Sequence, residues 1–256
     1  MTFFSEAALL IAAGAVAGVM NALAGGGTLL TFPALIFVGL PAVSANATST
    51  VALLMGIASS IWGYRGELTT QRKWARQFAI PSLTGGILGA LLLLHTEESH
   101  FRAFVPYLIL FAAALFTFQK PILRLLEIEA HAIGRSRHTL TVAMLFQFGL
   151  AVYGGYFGAG IGILMIASLS LLMGYDNVHE INSVKVTQAF LINVVAAGIF
   201  IFSGVVRWRE VFLIAIGAAC GGMAGPWIGR RVGSKVVRGF VSVLGFAIGL
   251  YFLLGR

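Results

Sequence analysis

The chain has 256 residues and a net charge of +8, with 59% hydrophobic and only 10% charged residues. A soluble domain carries roughly a quarter charged residues to cover its surface, so that class is excluded. The basic excess does not read as a nucleic-acid footprint, because Lys and Arg sit at the ends of apolar segments, as positive-inside anchoring requires.

Charged residues fall in short clusters. None lies between Glu6 and Arg65, a gap of 58 residues, and further charge-free stretches run Gln77–Thr96, Ala103–Gln119, His138–Tyr175, Val186–Val206, Val211–Gly229 and Gly239–Gly255. A helix needs about 20 apolar residues to cross hydrocarbon, so each stretch holds at least one span. The sequence predicts an all-α polytopic membrane protein.

In chain order, Glu6–Ala24 reads as a first helix, ended by Gly25-Gly26-Gly27. Glu6 stands where a signal peptide carries positive charge, so this segment reads as a mature span. A short apolar piece, Thr28–Val38, follows and closes at Gly39-Leu40-Pro41; Ala42–Gly63 is a full span. Arg65–Arg76 is a basic connector, Gln77–His95 and Arg102–Phe118 are spans joined by acidic Glu97-Glu98, and Lys120–His138 is the longest polar segment. The pattern then restarts with Thr139–Phe157, a break at Gly158-Ala159-Gly160-Ile161-Gly162, and a short piece Ile163–Met173 closed by Gly174. Val178–Phe202, Glu210–Gly229 and Lys235–Leu254 complete the set. The lone cysteine, Cys220, lies in an apolar span and says nothing about redox compartment.

The restart is an internal repeat. At an offset of 135, Gly14, Gly25, Gly27 and Gly39 fall on Gly149, Gly160, Gly162 and Gly174. At 136, Asn46 falls on Asn182, Gly85-Gly86-Ile87-Leu88-Gly89 on Gly221-Gly222-Met223-Ala224-Gly225, and Arg102-Ala103-Phe104-Val105 on Arg238-Gly239-Phe240-Val241. The expected organisation is a first transmembrane repeat, 1–119, a polar connector, 120–138, and a second repeat, 139–256. Connector charge decides between parallel and inverted halves. Arg65–Arg76 and Lys120–His138 each hold four basic residues, and Arg230–Arg238 holds four with no acid. Only inverted halves put all three in the cytoplasm and Glu97-Glu98 outside. Each half is then a glycine-broken helix or re-entrant hairpin followed by three spans.

Unwound backbone at membrane depth is tolerated only where protein buries it or a polar cavity adjoins it, so paired glycine breaks in inverted halves point to a binding site. The physics favours an anion: a helix starts after each break, and its free N–H groups carry partial positive charge. Gly25, Gly26 and Gly27 with Thr28, and Gly158, Gly160 and Gly162, are therefore candidates, the backbone N–H groups supplying most of the binding. Glycines also permit close helix packing in membranes, and Gly14, Gly18, Gly85 and Gly89 are read that way. Polar residues within spans add Asn46, Thr48 and Ser49 in the first half and Asn182, Ser183 and Lys185 in the second. Ser49 and Thr50 can instead bond back to their own helix. Lys185 can face the anion, or else snorkel to the interface or pair with Glu180 or Asp176. Asn21 joins the candidate site, with Asn193, His179 and Gln147 as weaker candidates. No Walker motif, metal-ligand cluster or nucleophile with an evident base is present, so neither enzyme activity nor a metal or cofactor is expected.

Gly14-x3-Gly18-x6-Gly25-Gly26-Gly27, then Pro33, Gly39 and Ala45-Asn46-Ala47-Thr48-Ser49, and the second copy Gly154-Gly155-Tyr156-Phe157-Gly158-Ala159-Gly160-Ile161-Gly162, resemble the sulfite exporter TauE/SafE family of prokaryotic transporters. The resemblance covers nearly the whole chain. It implies a multi-pass protein of the prokaryotic inner membrane that moves sulfite, thiosulfate or an organosulfonate, often outward. The expected function is a secondary transporter working by alternating access, with an anion channel as the alternative; the expected partners are a small anion and the lipid bilayer, with homo-oligomerisation left open and no nucleic acid.

Overall fold

The computed structural model describes residues 3–23, 25–132, 137–173, 178–232 and 234–254; Gly174 and Asp176, named above, lie outside them. Every regular element among these is helical. The first half holds α1 (Phe3–Leu23), α2 (Thr28–Phe37), α3 (Ala42–Gly63), the short α4 (Arg65–Thr70) and α5 (Arg72–Gln77), α6 (Ala79–His95) and α7 (Glu98–Ala132). The second holds α8 (Arg137–Tyr156), α9 (Ile161–Met173), α10 (Val178–Phe202), α11 (Trp208–Val232) and α12 (Ser234–Leu254).

Most bounds shift by a few residues, the basic connector Arg65–Arg76 is itself helical as α4 and α5, and two differences matter more. Helix α7 continues to Ala132, through most of the segment read as a connector. Charge ends the hydrocarbon-compatible stretch but not the helix, because Leu, Glu and Ala are good helix formers in water too. Helix α9 resumes at Ile161, inside the predicted break.

Among the described residues three helices are long and apolar enough to cross a membrane, Phe3–Ala22, Ala42–Trp62 and His179–Phe202, and Thr28–Phe37, Ala79–His95, Leu140–Tyr156 and Ser242–Leu254 are shorter apolar helices. Phe4, Ile80 and Leu254 on these helices are exposed, as are Phe212 and Met223 on α11. Apolar exposure on this scale fits a lipid environment rather than water. Arg65 lies over Trp62 and Arg231 over Trp227, at 4.8 and 4.1 Å, pairing aromatic and basic anchors at helix ends.

Helix packing swaps partners between the halves. Helix α1 packs along α11 and α8 along α6; α3 contacts α11 and α10 contacts α6; α7 pairs with α12, and α3 with α10. The two longest seams are glycine-lined. A Cβ added at Gly14 or Gly18 would sit 2.3 Å from the carbonyl oxygen of Ile214 or Ala218, and one at Gly89 would sit 2.1 Å from that of Val152. These glycines serve backbone-to-backbone packing, as expected.

The ends of the bundle are fixed by polar contacts. At one end Arg209 pairs with Glu6 at 3.3 Å, the Arg207 N–H donates to Thr48 Oγ1 at 3.1 Å, and the Ser44 hydroxyl donates to the Val205 carbonyl. At the other end Gln71 donates to Glu180, Gln188 donates to the Ala75 carbonyl at 2.8 Å, and Trp74, Phe78, Leu140, Met173 and Ile181 form one apolar cluster. The α1–α2 hairpin thus begins and finishes at the first end, and α8–α9 at the second.

Helix α3 begins after Pro41, which offers no side-chain cap. Glu98 supplies one from α7: its carboxylate accepts from the N–H groups of Ala42 and Val43. A carboxylate on a helix N-terminus satisfies orphan donors and complements the helix dipole. Glu98→Ala is expected to lower stability by about 1 kcal/mol, read as a fall in Tm of the detergent-solubilised protein. An unchanged Tm would show that water replaces the carboxylate without cost.

Candidate functional site

The two glycine breaks meet. A Cβ added at Gly25 would lie 2.9 Å from the Cα of Gly162, so the backbones touch in the middle of the bundle. Gly25 and Gly26 have φ of 74° and 119°, and Gly158 and Gly160 both have 75°, a region that side chains other than glycine rarely adopt.

Beside this junction is a cavity of about 40 Å³, lined by Asn21, Gly25, Gly26 and Thr28, by Leu53, Ile57 and Ser60 of α3, by Gly158, Ile161 and Gly162, and by Lys185, Val186, Ala189 and Asn193 of α10. One water needs roughly 10–15 Å³ of such space, so the cavity suits a small polyatomic group. Leu53 and Ala189, and Ile57 and Asn193, are each 136 residues apart, the sequence offset noted above. The cavity therefore lies where the halves face each other.

Among the described residues its lining holds one charged residue, Lys185, and no carboxylate. Lys185 is 1% exposed, and its Nζ has no hydrogen-bond partner among the described residues. That removes the snorkelling alternative, because the residue does not reach an interface. Glu180 receives Gln71 instead, and Asp176 lies outside the described residues. A buried, unpaired ammonium is costly unless an anion completes it.

The backbone does not contribute evenly. Asn21 Oδ1 accepts from the N–H groups of Gly26 at 3.0 Å and Gly27 at 2.8 Å. The expectation that the first break offers its N–H groups to an anion is corrected: the Asn21 amide already occupies two of them. In the repeat, the positions matching Asn21 are Tyr156 and Phe157, neither with an amide side chain. No side chain among the described residues caps the N–H groups of Ile161 and Gly162, so the start of α9 is the more open donor set.

Of the other sequence candidates, Asn46, Thr48, Ser49, Asn182 and Ser183 are buried but do not line the cavity, nor do Gly27 and Gly160. The Asn46 amide donates to the Tyr156 carbonyl at 2.8 Å, Thr48 receives Arg207, and the Ser49 hydroxyl meets that of Thr31 at 2.5 Å. Ser183 donates to the Glu180 carbonyl at 2.7 Å, and Asn182 Oδ1 has no partner. Asn46, Thr48 and Ser49 thus tie elements together, while the Ser183 bond stays within α10. Gln147 bonds Ser82 away from it, and His179 stacks near Tyr64. Ser60 is the polar lining residue that sequence reasoning did not single out. Asn193, a weaker candidate, is in the wall; it lies eight residues beyond Lys185, about two helical turns and so on one face.

Residues 10–252 match the family described as sulfite exporter TauE/SafE. The chain belongs to that family. Among curated TauE/SafE relatives, it is 28% identical over 251 residues to the probable membrane transporter protein ORF9 of a Sinorhizobium species, covering 98% of this chain and 93% of that one. The probable membrane transporter protein of Haemophilus influenzae is 27% identical, with 93% and 91% covered, and the probable membrane transporter protein YfcA of Escherichia coli K12 is 24% identical, with 89% and 82% covered. No solved structure matches the chain. It is a transmembrane transporter of the TauE/SafE family, and the family and these relatives point to transport rather than catalysis.

Proposed function

We propose that this protein is a secondary transporter that exports a small sulfur-containing anion, sulfite, thiosulfate or an organosulfonate, by alternating access around the cavity between the two glycine breaks. The observation that carries the reading is Lys185: a buried ammonium that, among the described residues, has no protein partner and shares its cavity with no carboxylate, where the halves meet. The cavity's size favours a compact head, either sulfite itself or the sulfonate end of a longer ion. The sulfur-anion class and the outward direction come from the family's description.

The halves, 1–119 and 139–256, are taken as inverted repeats. Supporting this, the α1–α2 hairpin starts and finishes at one end of the bundle and α8–α9 at the other, and α1–α11 packing is matched by α8–α6. A two-fold relation in the membrane plane lets one site be reached from either side by rocking one set of helices against the other.

The test is uptake by liposomes holding the purified protein, screened across sulfite, thiosulfate, sulfate, taurine and sulfoacetate. Saturable flux with counterflow for a sulfur anion is expected; flux without counterflow would make the protein a channel, and no flux of any of the five would remove the substrate class. Orientation is tested separately. Single cysteines in 65–76 or 230–238, in a Cys220→Ser background, are expected to resist an impermeant thiol reagent added to intact cells in the prokaryotic inner membrane. Labelling there from outside would reverse the topology.

A further inference from the structure

At the end of the bundle marked by Glu98 lies a second, larger cavity of about 610 Å³, walled by α2, α7 and α12 and lined by Phe32, Phe37, Leu40, Glu98, Arg102 and Tyr251 among others. Arg102 is exposed to it, and among the described residues no carboxylate lies within ion-pair distance of its guanidinium. Glu98 is engaged with the start of α3. The vestibule therefore presents a guanidinium held in no ion pair, with the Glu98 carboxylate turned to the α3 N-terminus, and the second half carries Arg238 at the matching sequence offset.

Between vestibule and central cavity stand three aromatic rings, each from a different segment. Phe32 of α2 packs edge to face on Phe157 at 5.4 Å and on Phe101 of α7 at 6.3 Å, and Phe101 reaches Phe157 at 6.4 Å. All three are at most 2% exposed. The link to both spaces is covalent and short. Thr28 lines the central cavity and Phe32, about one helical turn further along α2, lines the vestibule, while Phe157 adjoins Gly158 of the central lining. The triad has no repeat counterpart. At offsets of 135 and 136 its positions hold Ala167 or Ser168, Val236 or Val237, and Ala22 or Asn21, none aromatic.

We propose that Phe32, Phe101 and Phe157 form the gate that closes the central cavity on this side, and that Arg102 is a second, transient binding site where a small oxyanion or sulfonate waits at the mouth. This rests on the central cavity being the substrate site. The rings exclude water and ions when packed. Because they come from α2, α7 and the turn that follows α8, a small rotation of the α1–α2 hairpin separates Phe32 from the other two.

The test does not depend on knowing the substrate. In a Cys220→Ser background, Leu40→Cys reports the vestibule and Thr28→Cys the central cavity, and each is labelled with anionic sulfonatoethyl or cationic trimethylammonioethyl methanethiosulfonate from whichever side labels Leu40→Cys. Thr28→Cys is expected to react slowly, and adding Phe32→Ala to speed it about tenfold, as loss of two aromatic contacts would predict. Should Phe32→Ala fail to fold, Phe32→Leu keeps the bulk without the ring and is expected to move the rate in the same direction. Arg102→Gln is expected to lower the anionic-to-cationic rate ratio at Leu40→Cys by about threefold. Unchanged Thr28→Cys labelling in folded Phe32→Ala or Phe32→Leu protein overturns the gate, and an unchanged ratio overturns the Arg102 site. Failure of the central cavity as a substrate site would appear elsewhere, as unaltered transport affinity when Lys185 is replaced.

Discussion

Lys185→Gln is expected to raise the half-saturating anion concentration roughly tenfold to hundredfold, since a charge-assisted contact is worth about 1.5–3 kcal/mol. The same substitution should not weaken the fold. A protein that keeps a buried ammonium without a partner bears a desolvation cost that an anion relieves only while bound. Lys185→Met, which fills the space without the charge, is therefore expected to raise the stability of the anion-free protein, by roughly 1–3 kcal/mol. Added anion should stabilise the unaltered protein by about 2.7 kcal/mol at a hundred times Kd and the Met variant hardly at all. Opposite signs for stability and affinity distinguish a binding residue from a packing one. If Lys185→Met transports with unchanged affinity, or unfolds more readily than the parent, the ammonium is structural and the proposed site is wrong.

How far the sequence foretold this arrangement depended on the kind of signal. Helix α3, Ala42–Gly63, and helix α10, Val178–Phe202, have the bounds read from glycine, proline and charge, because those residues end apolar runs for local reasons. The two breaks meet, and in the sequence the offset of 135 puts Gly25 on Gly160 and Gly27 on Gly162. Direction of a side chain was less legible. Asn46, Thr48, Ser49 and Thr50 lie on more than one face of their helix, and nothing local says which of them meets a neighbouring backbone and which a cavity. Thr48 turned toward Arg207, and that choice belongs to the tertiary fold. Asn21 carried a signal that went unused: an amide five and six residues ahead of Gly26 and Gly27 can capture N–H groups of a glycine turn. The aromatic triad joins residues 32, 101 and 157, a long-range contact with no local signature.

Gly25→Ala is expected to abolish transport while leaving a folded but weakened protein. Two costs add at this position. At a φ of 74° an L side chain is strained by about 1–2 kcal/mol. The added Cβ would also lie 2.9 Å from the Gly162 Cα, and relieving that overlap forces backbone shifts of the kind that cost about 1–3 kcal/mol. Gly204 separates the two contributions. Its φ is 75°, yet a Cβ there meets nothing within 4 Å. Gly204→Ala should therefore lose about 1–2 kcal/mol and transport normally, because strain alone leaves the cavity unaltered. Gly25→Ala pushes the breaks apart in the very place where the anion is proposed to bind, so its transport should fail even at temperatures where it remains folded. Tm and flux measured on both variants decide the point. Equal transport by the two would mean that contact between the breaks serves folding only, and the site would have to lie elsewhere in the bundle.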